Sequence, residues 1–204
     1  MQTAPFPRDT GARDLLRDAT SALHDTVEAV VGLPDSVRTL TEYRAVLQRF
    51  WGFHDPVEAA LARLDWGGFD YEPRRRAWLA AADLLALGSG VEEIERLPRW
   101  QAALPAGSAA AWGALYVLEG STLGGRVIRR SLERSLGGQI AGAARFFDDR
   151  AGQGGQLWRE FVQELERRVR APDERAQALL GAEATFRGMI DWFGAGNWRE
   201  ALRS

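Results

Sequence analysis

The sequence predicts an all-α fold in a single domain, and three observations lead there. Apolar residues recur at three- and four-residue spacing over long stretches. Almost no run alternates as a half-buried strand would. The breaks between stretches carry glycine, proline and aspartate in turn-forming combinations. At 204 residues and 46% hydrophobic content, the chain is long enough for one continuous core.

The elements follow in order. Residues 1–8, with two prolines, are expected to form a flexible N-terminal arm ahead of a domain over 9–204. The first helix is expected over 10–31, with Leu16, Ala19, Leu23, Val27 and Val30 as its core stripe, and GLPDS at 32–36 ends it. The second runs over 40–64 to DWGGFDYEP at 65–73, and helices at 73–87 and 89–103 follow, stopped by LPAGS at 104–108. One long helix is expected over 108–136. Residues 136–155 are too rich in glycine for helix throughout and form a long connection holding a buried Phe146–Phe147 pair. The last two helices, over 154–170 and 173–194, meet at APD, where Pro172 opens an acidic first turn.

Composition excludes several function classes. The formal net charge is -2, so there is no basic footprint for nucleic acid or an anionic membrane surface. Cysteine is absent, which removes disulfides, thiolate metal sites, thiol nucleophiles and covalent CxxCH haem attachment together. The opening MQTAPFPRDTGARD lacks the apolar run of a secretory signal, and no segment is long enough to span a bilayer without charge, so a cytoplasmic protein is expected.

The stretch WGALYVLEGSTLGGRVIRRSL, at 112–132, sets Gly120, Gly124 and Gly125 into an amphipathic helix. Each mid-helix glycine costs about 1 kcal/mol relative to alanine, so something comes close to this backbone. Neither phosphate-loop pattern is present and no strand precedes the glycines. Glu119 and RVIRR exclude a membrane dimerisation face. Two readings stand: a second helix packed closely on the glycines, or a flat ligand lying on bare backbone with the helix kinked there.

Any imidazole chemistry must use His24 or His54, the two histidines of the chain. His24 falls at the rim of the first helix's apolar stripe, with Arg17 and Glu28 on its face. It reads either as a boundary histidine with an ordinary i, i+4 partner or as an axial metal ligand whose second nitrogen is held by Glu28. Arg17 lies on the order of 10 Å back along the axis, where a guanidinium can hold a carboxylate of a ligand centred over His24. His54, among aromatics and just ahead of Asp55–Pro56, reads as structural and as the reserve ligand.

LLRDATSALHDTVE and LYVLEGSTLGGRVI together resemble the haem oxygenase family, in particular its bacterial biliverdin-producing branch whose members sit beside bacterial phytochromes. The resemblance spans nearly the whole chain in length and order. It implies a helical bundle with haem b between the first, proximal helix and a glycine-kinked distal helix. It implies His24 as the iron ligand, with Arg17, Thr20 and Glu28 beside it, and Gly120, Ser121, Gly124 and Gly125 on the distal side. Arg159 matches a basic residue facing the propionates, and Phe186 an aromatic lining the pocket. Where animal members carry an aspartate after the first distal glycine, this chain has Ser121, which with the Gly120 carbonyl is expected to order the waters that deliver protons.

The activity so implied is cleavage of haem by O₂ to biliverdin, CO and ferrous iron. Electrons are expected from a separate ferredoxin or reductase, since no flavin or nicotinamide fingerprint is present. A bacterial phytochrome is the implied biliverdin acceptor. The main alternative is a non-catalytic haem-binding or haem-sensing protein on the same scaffold, followed by a haem-free helical enzyme of this fold.

Overall fold

The computed structural model describes residues 10–101, 104–148 and 152–195, and among these every regular element is helical. The order is α1 (Ala12–Val31), α2 (Leu40–Leu61), α3 (Ala77–Ala86), α4 (Val91–Glu95), α5 (Ser108–Ser121), α6 (Gly125–Leu136), α7 (Gly154–Arg168) and α8 (Pro172–Gly194). Short 3₁₀ turns occupy Glu72–Arg74 and Gly137–Ile140. The expected arm at 1–8 lies outside the described residues.

Helix α8 is the axis of the bundle: α1 and α5 each pack along it, and α2 and α3 pack against one another beside it. The α5–α8 crossing is a contact of main chains. A Cβ at Gly113 would collide with the Ala178 carbonyl, and one at Gly181 with the Ala110 carbonyl. Close helix packing on glycine is therefore realised here, at two positions the sequence reading did not single out.

Helix ends are held from a distance. The Glu166 carboxylate on α7 accepts from Ala12 N (2.8 Å) and Arg13 N (2.9 Å), which caps α1, and Gly32 ends α1 at φ 62°. Thr39 and Glu42 form a reciprocal capping box on α2. Pro56 sits inside α2 rather than ending it. Its missing N–H leaves the Gly52 carbonyl without an intrahelical donor, and Trp100 N fills that place at 2.9 Å. Pro98 and this recruitment of Trp100 also explain why the helix expected over 89–103 is reduced to Val91–Glu95.

His54 is structural, as expected. Its Nδ1 lies 2.9 Å from Glu58 Oε1 on the next turn, with both side chains buried. Glu58 also accepts from Arg76 N and Ala77 N at 2.9–3.1 Å and so caps α3. Burial alone would raise the Glu58 carboxyl. The His54 hydrogen bond and charge, with the Ala77 and Arg76 N–H groups, outweigh it and hold the carboxyl below the ordinary range.

The connection after α6 is stapled rather than loose. Asp83 accepts from Arg145 N (3.0 Å) and Phe146 N (2.8 Å), Tyr43 donates to the Ala143 carbonyl at 2.7 Å, and Arg129 pairs with Asp148 at 2.6 Å. Phe146 and Phe147 are buried, as the sequence predicts.

Two expectations need correction. The helix expected over 108–136 is two helices, α5 and α6, separated at residues 122–124, where the hydrogen bonds shorten to i−3: Thr122 N to Glu119 O, Leu123 N to Gly120 O and Gly125 N to Thr122 O, each 3.1 Å. Ser121 Oγ and Thr122 Oγ1 also turn back onto the Leu118 and Glu119 carbonyls. In α1, Ala19 is exposed instead of joining the core stripe. Thr20 takes an interior place because its hydroxyl is satisfied by the Leu16 carbonyl at 2.7 Å.

Candidate haem site

A cavity of about 790 Å³ lies between α1 and the α5–α6 turn, closed by α8 and the Phe146–Phe147 segment. Eight of the residues singled out from sequence line it: Arg17, Thr20, His24, Glu28, Gly120, Ser121, Gly124 and Phe186.

The glycines divide by what faces them. Among the described residues, a Cβ built at Gly120 or Gly124 meets no atom within 4 Å, so none of the described helices packs on either. These two present bare main chain to the cavity. Gly125 has a different reason to be glycine, because a Cβ there would stand 2.9 Å from the Phe147 carbonyl oxygen. It lets the connection close under the distal turn and does not line the cavity.

Opposite in character is the α1 wall, which supplies the donor atoms. The His24 side chain is 56% exposed, and Phe186 from α8 meets its ring edge-on at 6.2 Å between centroids. Nε2 stands 3.8 Å from Glu28 Oε1 and Nδ1 4.0 Å from Asp25 Oδ1. Each ring nitrogen thus has a carboxylate within reach of a bridging water, so either could ligate a metal while the other is held. On the glycine side, Ser121 Oγ donates to the Leu118 carbonyl at 2.7 Å, leaving its own oxygen to accept, and the Gly120 carbonyl takes the Leu123 N–H at 3.1 Å.

Arg17 is exposed and forms ion pairs with Asp14 (3.1 Å) and Asp18 (2.9 Å); the Asp18 hydrogen bond and charge raise its pKa further. It is charged at any working pH and offers the ligand a cation already oriented along α1. Arg159 is not brought to the cavity. It lies exposed on α7, and its neighbour Trp158 lines the wall instead, since one residue turns the helix by about 100°.

Sequence reasoning missed Arg13, Arg76, Tyr116 and Trp158, all of which line the cavity. Tyr116 could have been found: it precedes Gly120 by one turn and so shares its face. Burial raises the Tyr116 phenol above its ordinary value against the pull of Arg13 and Arg17, which keeps it a hydrogen-bond donor. Arg76 is buried with its guanidinium 4.6 Å over the Phe146 ring and donates to the Phe146 carbonyl.

These features fit a planar iron macrocycle. An imidazole stands on one wall and side-chain-free backbone on the other, exposed Leu123 and Val127 line an apolar flank, and the Arg13–Arg17–Tyr116 corner suits carboxylates. Comparison with known proteins agrees: the family model described as Heme oxygenase matches residues 11–195. The chain belongs to the haem oxygenase family.

Haem oxygenase membership makes it a haem-degrading oxidoreductase. It is 38% identical over 152 residues to a heme oxygenase of Xanthomonas campestris pv. campestris (strain 8004), a match covering 71% of this chain and 84% of that protein. Among solved structures, the NO- and CO-bound heme oxygenase from Neisseria meningitidis superposes with a TM-score of 0.71 at 25% identity, covering 92% of this chain and 94% of that one. The all-helical architecture is thus the haem oxygenase fold.

Proposed function

We propose that this haem oxygenase binds haem b between His24 and the Gly120–Gly124 backbone and cleaves it to biliverdin, CO and ferrous iron, using O₂ and electrons from a separate protein. The observation that carries the reading is the pair of glycines whose absent side chains leave room above an accessible imidazole. When bound, haem supplies both the iron that takes O₂ and the ring that is cut.

The remaining chemistry falls to the chain. His24 would ligate through one ring nitrogen, with Glu28 or Asp25 fixing the ring through the other. Arg17, with Arg13 and Tyr116, holds the propionates at the cavity mouth and so sets which edge of the ring points inward. Gly120 and Gly124 would leave room for O₂ on the cavity side opposite His24, and their main chain would restrict approach elsewhere. The Ser121 hydroxyl and the Gly120 carbonyl order the waters that carry protons inward. Thr20 and Phe186 hold the His24 wall in shape, and Gly125 sets the turn. Arg159 reaches the propionates only if its side chain folds back along α7, so the nearer arginines take that role in this reading.

A ferredoxin or reductase is the electron donor in this reading. The branch resemblance adds a bacterial phytochrome as biliverdin acceptor and a cytoplasmic setting; no helix among the described residues is long and apolar enough to cross a membrane.

Reconstitution tests the proposal. Haem should bind one to one with a Soret shift, and O₂ with reductant should then bleach the Soret band as a bilin absorption grows. His24→Ala should lose the native axial ligation and recover it with added imidazole. Stoichiometric binding without bilin would instead indicate a haem-binding or sensing protein, and no Soret shift at all a haem-free enzyme.

A further inference from the structure

Arg74, at the end of the Glu72–Arg74 turn, is outside the cavity, yet one guanidinium touches α5 and α7, two of the elements that build it. Its side chain is 2% exposed and lies 3.0 Å from Glu119 Oε2, whose side chain is 3% exposed. The same nitrogen donates to the Leu157 carbonyl at 2.9 Å, a second reaches toward Glu160 at 3.7 Å, and the plane covers Phe69 at 4.3 Å.

The polar contacts are each one or two residues from a cavity wall. Glu119 adjoins Gly120, Leu157 adjoins Trp158, and Arg74 itself leads to Arg76, whose N–H is held by Glu58. Trp158 in turn packs on Tyr116 at 6.1 Å between ring centroids. A charge this deeply buried keeps its partners in one geometry, because separating Arg74 from Glu119 breaks a buried ion pair of 3.0 Å. Buried ion pairs can often be replaced by well-packed apolar residues of similar volume without loss of stability.

We propose that Arg74 is a positioning residue that, through Glu119 and Leu157, sets the gap between the bare backbone at Gly120 and the Tyr116–Trp158 edge, and thereby which edge of the bound ring is presented for cleavage. This rests on the haem reading above. The pair fixes the wall that opposes ring rotation, while the mouth arginines hold the far side.

The test replaces the pair by apolar residues of similar size. Arg74→Met alone removes the Arg74 counter-charge from buried Glu119 and is expected to unfold at lower temperature. The double variant Arg74→Met/Glu119→Leu removes both charges and should regain the wild-type thermal midpoint and bind haem one to one. It should nevertheless give a second bilin isomer on chromatography. The cyanide-bound ferric complex should also show a second set of ring-methyl proton resonances, a readout independent of turnover. Glu119→Gln, which keeps the volume and an acceptor for Arg74, should show the same change to a smaller extent. If either folded variant keeps the wild type's single isomer and single resonance set, Arg74 is structural only and the proposal is overturned. If the wild type binds no haem, the parent reading fails and takes this inference with it.

Discussion

Gly113 and Gly120 stand about two turns apart on the same helix, α5, and do opposite work. Gly113 is glycine because the α8 main chain fills the place of its Cβ; Gly120 is glycine although none of the described residues comes near. The first is explained by folding alone. The second has no structural explanation within the described residues, and a helix-weakening residue with no neighbour to accommodate points to a ligand. One sequence pattern, glycine in an apolar helix, thus has two physical causes, separable only by what faces the missing side chain.

Substitution should separate them. The largest effect is expected at the crossing: Gly113→Ala or Gly181→Ala sets a methyl group into a facing carbonyl. Overpacking of main chain on main chain should lower stability by about 3 kcal/mol. In a chain of this size that is a fall of roughly 6–12 °C in thermal midpoint, measurable by circular dichroism. An unchanged midpoint would mean that the helices are not in contact there.

At the other glycine the loss should be functional. Gly120→Leu should leave the midpoint near wild type while lowering the rate of bilin formation about 100-fold, as displacement at a reacting centre does. Equal loss of stability at Gly113 and Gly120 would erase the distinction between them.

Glu58 sharpens the comparison, because it supports the open wall from behind by holding the Arg76 and Ala77 N–H groups. Its folded pKa lies below the ordinary 4.5, so its contribution is fully present above about pH 4.5 and is lost as pH falls through the lowered folded value. Glu58→Gln should cost about 2 kcal/mol at neutral pH, and thermal unfolding across pH should show that difference shrinking in acid. A difference constant down to the acid limb would remove the carboxylate from this role.

The smallest change carries the opposite sign. Gly120→Ala should raise the midpoint slightly, by up to about 1 kcal/mol of helix propensity, while haem affinity in a Soret titration falls. A gain in both would show that the cavity has no need of bare backbone.

Much of this was legible in the sequence, and the remainder was not, for identifiable reasons. The long periodic helices emerged because burial of one face writes a 3.6-residue period directly. His24 and the Gly120–Gly124 pair stood out as chemically costly choices. A kink at the glycines was legible too, but not the full separation into two helices at 122–124, which depends on Ser121 and Thr122 side chains returning to carbonyls and on a switch to i−3 bonding. Gly125 and Gly120 look alike in sequence and differ only through Phe147, a neighbour contributed by the connection. Arg159 is exposed on α7 one position from Trp158, which lines the cavity, a difference that sequence spacing alone does not resolve. The Gly113–Gly181 crossing needed a partner more than sixty residues away, beyond the reach of any local pattern.

A crystal structure of the protein grown with haem tests the central claim most directly. The account predicts iron bonded to a ring nitrogen of His24, the macrocycle lying against the Gly120 and Gly124 main chain, and its propionates at Arg13, Arg17 and Tyr116. Haem ligated elsewhere, or side chains collapsed over those two glycines with His24 turned to solvent, would contradict it.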